Sequence, residues 1–403
     1  MVAAERDSHA REVDRRMALA REWDDLVEQV RRIEGFQDFL RPPPLESLLG
    51  AAVNGPVVVV NVSRWRCDAL VVTTAGVEVV ELPRLTAAEV AERTAAFLTV
   101  LGDHAVADLS FAAALRARAD WLAERERILR ATVEWLWDTV AEPVLGALPR
   151  DHARVWWCPT GLLTLLPLHG AGYHFDGSGR TVLDRVVSSY TPTLRALAGL
   201  TEPSEKDDSP LLFVSVPDVL DQVDLASDVA REYDFLRETF PHGLTSIGGS
   251  AATVAAVRAA MADHRRVHLS CHGHQDLNDP SAAGFLLSDG TLTIALLSAA
   301  RHGGDFAFLS ACRTATGGVD LPDEVITLAA ALSYTGYRHV VGTLWSVDPA
   351  IAAEVTTAVY PELVVDGEFT PDRSATALHS AVRALRDSGR SMDDWLPFTH
   401  TGP

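Results

Sequence analysis

The 403-residue chain predicts an α/β sandwich built on a mainly parallel sheet, and three observations carry that expectation. Beyond residue 210, short β-rich runs alternate with helix-length amphipathic segments, the pattern of a parallel sheet with crossover helices. Two of those runs, RRVHLSCHGHQD and FAFLSACRTATGG, are apolar up to one reactive side chain, His272 and Cys312, and then turn small and polar. A buried strand reads this way where it leaves its sheet. Between them, FLLSDGTLT reads as a hairpin turning at Ser288, Asp289 and Gly290, and IALLSAARHGG as a short helix stopped by Gly303 and Gly304. A strand, crossover and strand of this kind runs parallel with a right-handed connection, which brings His272 and Cys312 to one carboxyl edge. Open α/β sheets hold their sites at that edge.

The remaining elements follow from periodicity and breakers. Residues 5–34 read as a helix with Val13, Met17, Ala20, Trp23, Leu26, Val27, Val30 and Ile33 at helical spacing and Gly35 at the stop. RPPP at 41–44 breaks the chain, so residues 1–50 form an N-terminal helical segment. No repeat of fixed period is present. Residues 51–200 form a smaller α/β half, in which PVVVVNVS, DALVVTT and VEVVELP make a small sheet and residues 85–101 and 109–140 are helical. RVWWCPTGLLTLLPLHGAG reads as two strand-like segments about a Pro-Thr-Gly turn, and VLDRVVSSYTPTLRALAGL leads into a helix. TEPSEKDDSP at 201–210 is a polar linker closed by proline. Residues 211–403 then give the strand LLFVSVP, the helices LASDVAREYDFLRETF and AATVAAVRAAMADH, and the histidine and cysteine strands. A helix at 323–334, the strand HVVGTLWSV and the helices PAIAAEVTTAVYPELV and SATALHSAVRALRDSG complete the half.

Composition narrows the function. With 35 basic against 55 acidic residues the net charge is −20, which repels phosphate backbones and argues against nucleic acid as a partner. The N-terminus MVAAERDSHAREVDRR is charged throughout, no apolar run approaches a membrane span, and no signal peptide is visible, so no membrane partner is expected. Four cysteines, Cys67, Cys158, Cys271 and Cys312, lack framework spacing and suit a reducing cytoplasm.

A thiol is a strong nucleophile only as thiolate, and a neighbouring imidazole that takes its proton is the usual way to obtain that form near neutral pH. His272 and Cys312 fit these roles. Gly273 lets the backbone come close, and its N–H would join that of Cys312 in an oxyanion hole. The same residues also fit an inert core cysteine and a satisfied loop histidine. Zinc is a rival centre, since Cys271, His272, His274, His302 and Cys312 include its ligand types, but none forms a C-x-x-C or H-x-x-x-H pair. No metal and no organic cofactor is expected. His274, Asp276 and Asp279 would orient the His272 ring, or else are a solvated loop. Cys158 and His169, 11 residues apart in the reverse order, read as structural.

On VHLSCHG, LLSDGTLT and LSACRTATGG, with LPDEVITLAAAL, GYRHVVGTLWSVDP and WLPFTHTG further on, the chain resembles the CHAT domain, the caspase-like peptidase module that includes separase-type proteases. The resemblance implies a caspase-like α/β/α sandwich in residues 211–403, preceded by a degenerate, pseudo-peptidase-like copy in residues 51–200. It implies a cysteine endopeptidase acting on a protein or peptide through His272 and Cys312 and a thioester acyl-enzyme. The Ala-Cys-Arg core is similar to that of caspases too, but Ser310 replaces their glutamine and Thr314 their glycine, so a caspase-type preference for aspartate is not implied. By the same resemblance Thr343, Leu344, Trp345, Ser346 and Val347 correspond to a substrate-binding segment. Asp323 and Glu324 lie near its pocket, although acidic residues opening a helix are favoured by its dipole in any case. Trp345 is either a wall for a substrate side chain or a core residue. Larger members often carry a helical repeat array ahead of the module and are often idle until a sensing region is engaged, so the resemblance implies that residues 1–50 are the end of such an array or a docking helix for a regulatory protein. The alternative is a catalytically silent peptidase-fold scaffold for protein–protein interaction.

Overall fold

The computed structural model describes residues 2–102, 110–149, 153–200, 209–216, 223–274, 280–299, 303–310 and 328–403. The chain separates into two compact units, residues 1–48 and 49–403. In the first, the helix Val2–Arg31 ends in a series of turns closed by the Arg31 guanidinium on the Phe39 carbonyl, 2.8 Å away.

The second unit is organised by one eleven-stranded sheet. Its strands in chain order are β1 (Val57–Asn61), β2 (Asp68–Thr73), β3 (Gly76–Glu81), β4 (Arg154–Pro159), β5 (Val187–Tyr190), β6 (Leu211–Ser215), β7 (Leu244–Gly248) and β8 (Arg266–Ser270). β9 (Gly273–His274), β10 (Gly284–Leu287) and β11 (Gly290–Thr293) form a separate three-stranded sheet. β12 (Phe306–Leu309) and β13 (His339–Thr343) return to the main sheet, β14 (Val364–Val365) and β15 (Glu368–Phe369) pair with each other, and β16 (Phe398–Thr401) closes the chain. The main order is β3-β2-β1-β4-β5-β16-β13-β12-β8-β6-β7, parallel except for the hairpins of β1 to β3 and for β16 against β13.

Alternation along the central strands divides the apolar residues between two faces. Phe213, Phe306 and Phe308 join a core with Val229 and Leu236 of the helix Val223–Thr239 and with Val355, Val359 and Tyr360 of the helix Pro349–Leu363. Their neighbours Leu212, Val214, Ala307 and Leu309 join another core, with Val257 and Met261 of the helix Val254–Asp263 and Leu328 and Leu332 of the helix Leu328–Tyr334. Strands flanked by helices on two faces are the α/β/α sandwich that the alternating pattern predicts.

β16 joins the strands of residues 51–200 to those beyond 210. Its ladder to β5 is short, one register pair, Thr401 with Tyr190. A polar chain reinforces it, buried at Ser189, His400 and His339 and open to solvent at Asp372. The His339 imidazole donates from Nε2 to Asp372 at 2.9 Å, so its Nδ1 accepts from His400 Nε2 at 3.1 Å. His400 Nδ1 in turn accepts from the Ser189 hydroxyl at 2.8 Å, and Arg154 donates to that hydroxyl at 2.9 Å. Each ring is thus a neutral Nε2–H tautomer with both nitrogens used. Trp156 and Arg154 also donate to the carbonyls of Gly402 and Pro403. Gly402 is held at φ +132°, where a Cβ would collide with the Arg338 carbonyl.

Several elements depart from the sequence expectation. The run after the Pro-Thr-Gly turn is no strand: Gly161 at φ +58° starts a 3₁₀ helix, Gly161–Leu165, and another follows at Leu168–Gly170. A short apolar run does not declare its period, and here Leu163, Leu165, Leu166 and Leu168 are all buried without alternating. Strands β5, β7 and β16 were not expected, and 344–347 lies past the end of β13. The hairpin at 288–290 and the helices at 223–239, 254–263, 349–363 and 374–387 match their expectations.

Burial lowers the pKa of His339 and His400, and it pushes His169 down from 6.5 to about 4. Because the unfolded chain then binds more protons, this stability is complete above pH 6.5 and is lost as pH falls toward 4. His169 alone corresponds to about 3 kcal/mol at roughly 1.4 kcal/mol per unit. Thermal melts are expected to show Tm falling steadily between pH 7 and 5, above the range in which ordinary carboxylates titrate; a flat Tm there would contradict buried neutral histidines.

Candidate active site

The carboxyl ends of β8, β12 and β13 open into a cleft enclosing about 470 Å³, part of it open solvent, lined by Glu232, Ser270, His272, Ser310, Thr343 and Val347 among others.

His272 stands two residues past the end of β8. Its carbonyl accepts the Leu286 N–H of β10 at 2.8 Å, which ties the loop after β8 to the side sheet. The ring is half-buried, and its Nε2 has no hydrogen-bond partner among the described residues. Burial lowers its pKa from 6.5, so the ring is neutral at pH 7, the form a general base requires. Gly273 faces Phe285 across β9 and β10. The bond from Leu286 to His272 flanks this pair and makes it a non-hydrogen-bonded one, so the Gly273 N–H points away from β10.

β6, β8 and β12 are registered by stacked rings. His268 pairs with Phe213 on one side and Phe308 on the other. Its ring stacks on Phe308 at 5.0 Å and 8°, and on Phe213 at 5.3 Å and 26°. Its Nδ1 meets the Tyr360 hydroxyl at 3.0 Å. Two residues on, at the mouth of the cleft, the aromatic layer gives way to a polar one around a residue the sequence reading passed over. Glu232, 2% exposed on the helix Val223–Thr239, accepts hydrogen bonds from Ser270 at 2.6 Å, Ser310 at 2.7 Å and Thr356 at 2.8 Å. His268 Nε2 lies 3.7 Å away, an electrostatic contact too long for a hydrogen bond. Burial by itself would raise the Glu232 pKa. The His268 ring and the hydroxyl donors outweigh it and hold the carboxyl below its ordinary value, as carboxylate. The signal was in the sequence: Glu232 falls in the Val229, Tyr233, Leu236 stripe, the core side of its helix.

The other candidates are distributed as follows. Cys312, Asp323 and Glu324 lie outside the described residues, as do Asp276, Asp279, His302 and Thr314. Thr343, which ends β13, and Val347 line the cleft, and Ser346 is exposed. Leu344 is buried with its N–H given to the Pro397 carbonyl at 2.9 Å. Trp345 is 2% exposed, donates from Nε1 to Asp393 at 3.1 Å and packs edge-on against Phe97 at 5.4 Å. Those are the surroundings of a core residue. Cys158 is buried in β4 and its thiol is pushed up to about 12 by that burial, while His169 spends both nitrogens on Tyr190 and Leu396. Among the described residues no group of three His, Cys, Asp or Glu side chains is placed to hold a metal, and no helix is long and apolar enough to cross a membrane.

The structure is similar to that of Saccharomyces cerevisiae separase in its complex with securin, with TM-scores of 0.61 and 0.62 in two structures at 9% identity. The match covers 89% of this chain and 31% or 30% of the separase chain, so this chain spans about a third of that protein's length. Similarity to the Porphyromonas gingivalis RgpB pro- and mature domains has a TM-score of 0.43 at 12% identity over 66% of this chain and 68% of that one. No curated protein matches by sequence. The sandwich has the caspase-like peptidase fold. The CHAT domain family matches residues 130–403, and the chain belongs to it.

The Trp345 environment makes a direct prediction. Trp345→Ala is expected to cost about 3–5 kcal/mol of stability, read as a lower denaturation midpoint, with near-normal kcat/KM in the folded fraction. A normal midpoint with poor kcat/KM would return Trp345 to the substrate.

Proposed function

We propose that the chain is a cysteine endopeptidase of the CHAT type, with Cys312 as nucleophile and His272 as general base. The observation that carries this reading is strand register. β12 pairs with β8 at a constant offset, Phe308 with His268 and Leu309 with Leu269, and that offset of 40 also separates Cys312 from His272. Parallel pairing with this register supports two reactive groups rising side by side from one edge. A half-buried neutral imidazole whose Nε2 has no partner among the described residues supports the base role.

In the proposed reaction His272 takes the Cys312 proton, and the thiolate attacks the scissile carbonyl. The oxyanion is held by the N–H groups of Cys312 and Gly273, the latter supported by the orientation of Gly273 away from β10. Collapse expels the amine, which takes the proton from His272, and leaves a thioester. His272 then deprotonates water, which attacks the thioester, releases the acid and restores the thiol. Thr343 and Val347 would meet the substrate along the cleft, with Ser346 at its rim. The Leu344 N–H is already committed, so added-strand pairing by the peptide would fall to the residues beyond it. Asp323 and Glu324 would face a basic substrate side chain.

A protein partner is proposed for the helix Val2–Arg31 and the turns after it, because Met17, Trp23, Leu26 and Ile33 are each at least half exposed. The separase similarity is to a complex with a protein, securin, which supports a protein as the occupant. The isolated chain is then expected to be weakly active, and full activity of a chain lacking residues 1–47 would argue against control through this segment.

Cys312→Ala is expected to leave the fold intact and remove about a thousandfold or more of activity, and His272→Ala nearly as much, since the two act as a unit. A strong chelator should change nothing, and an alkylator should abolish activity with modification at Cys312 ahead of buried Cys67, Cys158 and Cys271. Proteolysis by purified Cys312→Ala protein, or loss to chelator with recovery on zinc, would overturn the mechanism.

A further inference from the structure

Glu232 is a buried carboxylate for which the proposed reaction has no use. It comes from the helix Val223–Thr239, and its three hydroxyl donors come from three other elements: Ser270 ends β8, Ser310 follows β12, and Thr356 lies in the helix Pro349–Leu363. The two serines stand next to each other across the β8–β12 ladder, since Leu269 pairs with Leu309. Each also stands two residues before a reactive position: Ser270 before His272, Ser310 before Cys312. A carboxylate in this place would be a poor choice for stability alone. Burying it is costly, and apolar groups of similar volume would fill the space at least as well. Its geometry does something an apolar plug cannot, because one rigid, bidentate acceptor fixes the rotamers and the relative height of two strand ends at once.

We infer that Glu232 is a positioning residue for the His272–Cys312 pair, acting through Ser270 and Ser310 to hold the carboxyl ends of β8 and β12 level against two helices. The inference rests on the proposed peptidase reading, and it adds a residue that reading did not contain. Since both hydroxyls spend their protons on Glu232, neither serine donates toward the cleft. Ser310, which stands where caspases carry a glutamine, therefore serves the backbone and not substrate recognition.

The test uses the full chain and the variants Glu232→Gln, Ser270→Ala with Ser310→Ala, and all three together. Two readouts are taken well below each Tm: kcat and KM on a peptide substrate, and the rate of Cys312 alkylation by iodoacetamide, which requires no substrate. Glu232→Gln is expected to lower kcat and the alkylation rate each by about tenfold or more, with KM within roughly threefold. Adding it to the two serine changes should cost less than about threefold further, because residues acting as one unit are not additive. A residue that merely stabilises the fold would shift Tm and leave the kcat of the folded fraction alone. Should Glu232→Gln fail to fold, the double serine variant, which removes no charge, carries the same comparison: a loss in kcat with little change in KM supports the inference, and wild-type rates overturn it. A wild-type chain that cleaves no peptide, with alkylation of Cys312 still slowed by Glu232→Gln, would end the peptidase reading and keep the positioning role. Equal alkylation rates in wild type and Glu232→Gln would overturn the positioning role whether or not peptide is cleaved.

Discussion

The parallel pairing of β8 with β12 is the constraint on which the rest of the site depends. It fixes which residues are neighbours at the carboxyl edge, and every feature around it serves to hold that register. Slippage by one residue would turn Phe308 from the layer it shares with His268 and Phe213 into the opposite core. The stacked rings make such a slip costly, and the Tyr360 hydroxyl on His268 Nδ1 anchors that layer to the helix above. The hydroxyls on Glu232 then repeat the lock one layer nearer the cleft, in polar chemistry.

A comparable logic operates at the other weak point of the sheet. β16 meets β5 through a short backbone ladder, and side chains reinforce the joint between strands from residues 51–200 and from beyond 210. In the chain from Arg154 through Ser189, His400 and His339 to Asp372, each of the three inner groups donates once and accepts once. Such a chain is satisfied only while both rings stay neutral. Asp372 is in turn held down at about 2, by the His339 hydrogen bond above all. A polar network whose inner members are satisfied in this way specifies one register between strands more sharply than apolar packing does.

How much of this was legible in the sequence depended on whether a residue's type announced its surroundings. The strand leading to His272, the hairpin at 288–290 and the amphipathic helices were legible because apolar periodicity stops at turn residues. β5 and β16 were not, since VSSY and FTHT carry the hydroxyl and imidazole groups of the polar seam and so lack the apolar alternation of a strand. The leucine-rich run at 162–168 misled in the opposite sense, being buried on every side around a left-handed Gly161. Glu232 escaped because a charged residue in a helix is ordinarily read as solvent-facing, and only its place in an apolar stripe contradicts that. Trp345 was undecidable from sequence, as an indole suits a core and a binding wall equally; its bond to Asp393 and contact with Phe97 favour the core.

The central claim is that His272 and Cys312 act together on a peptide carbonyl at this edge. It is tested most directly by incubating the chain with a short peptide bearing a thiol-reactive warhead at its carboxyl end and mapping the adduct by mass spectrometry. The account predicts one adduct per chain, on Cys312, formed far faster than with the warhead alone and strongly slowed by His272→Ala. An adduct spread over several cysteines at the rate of an ordinary thiol, or one on Cys312 that is indifferent to His272, would contradict it.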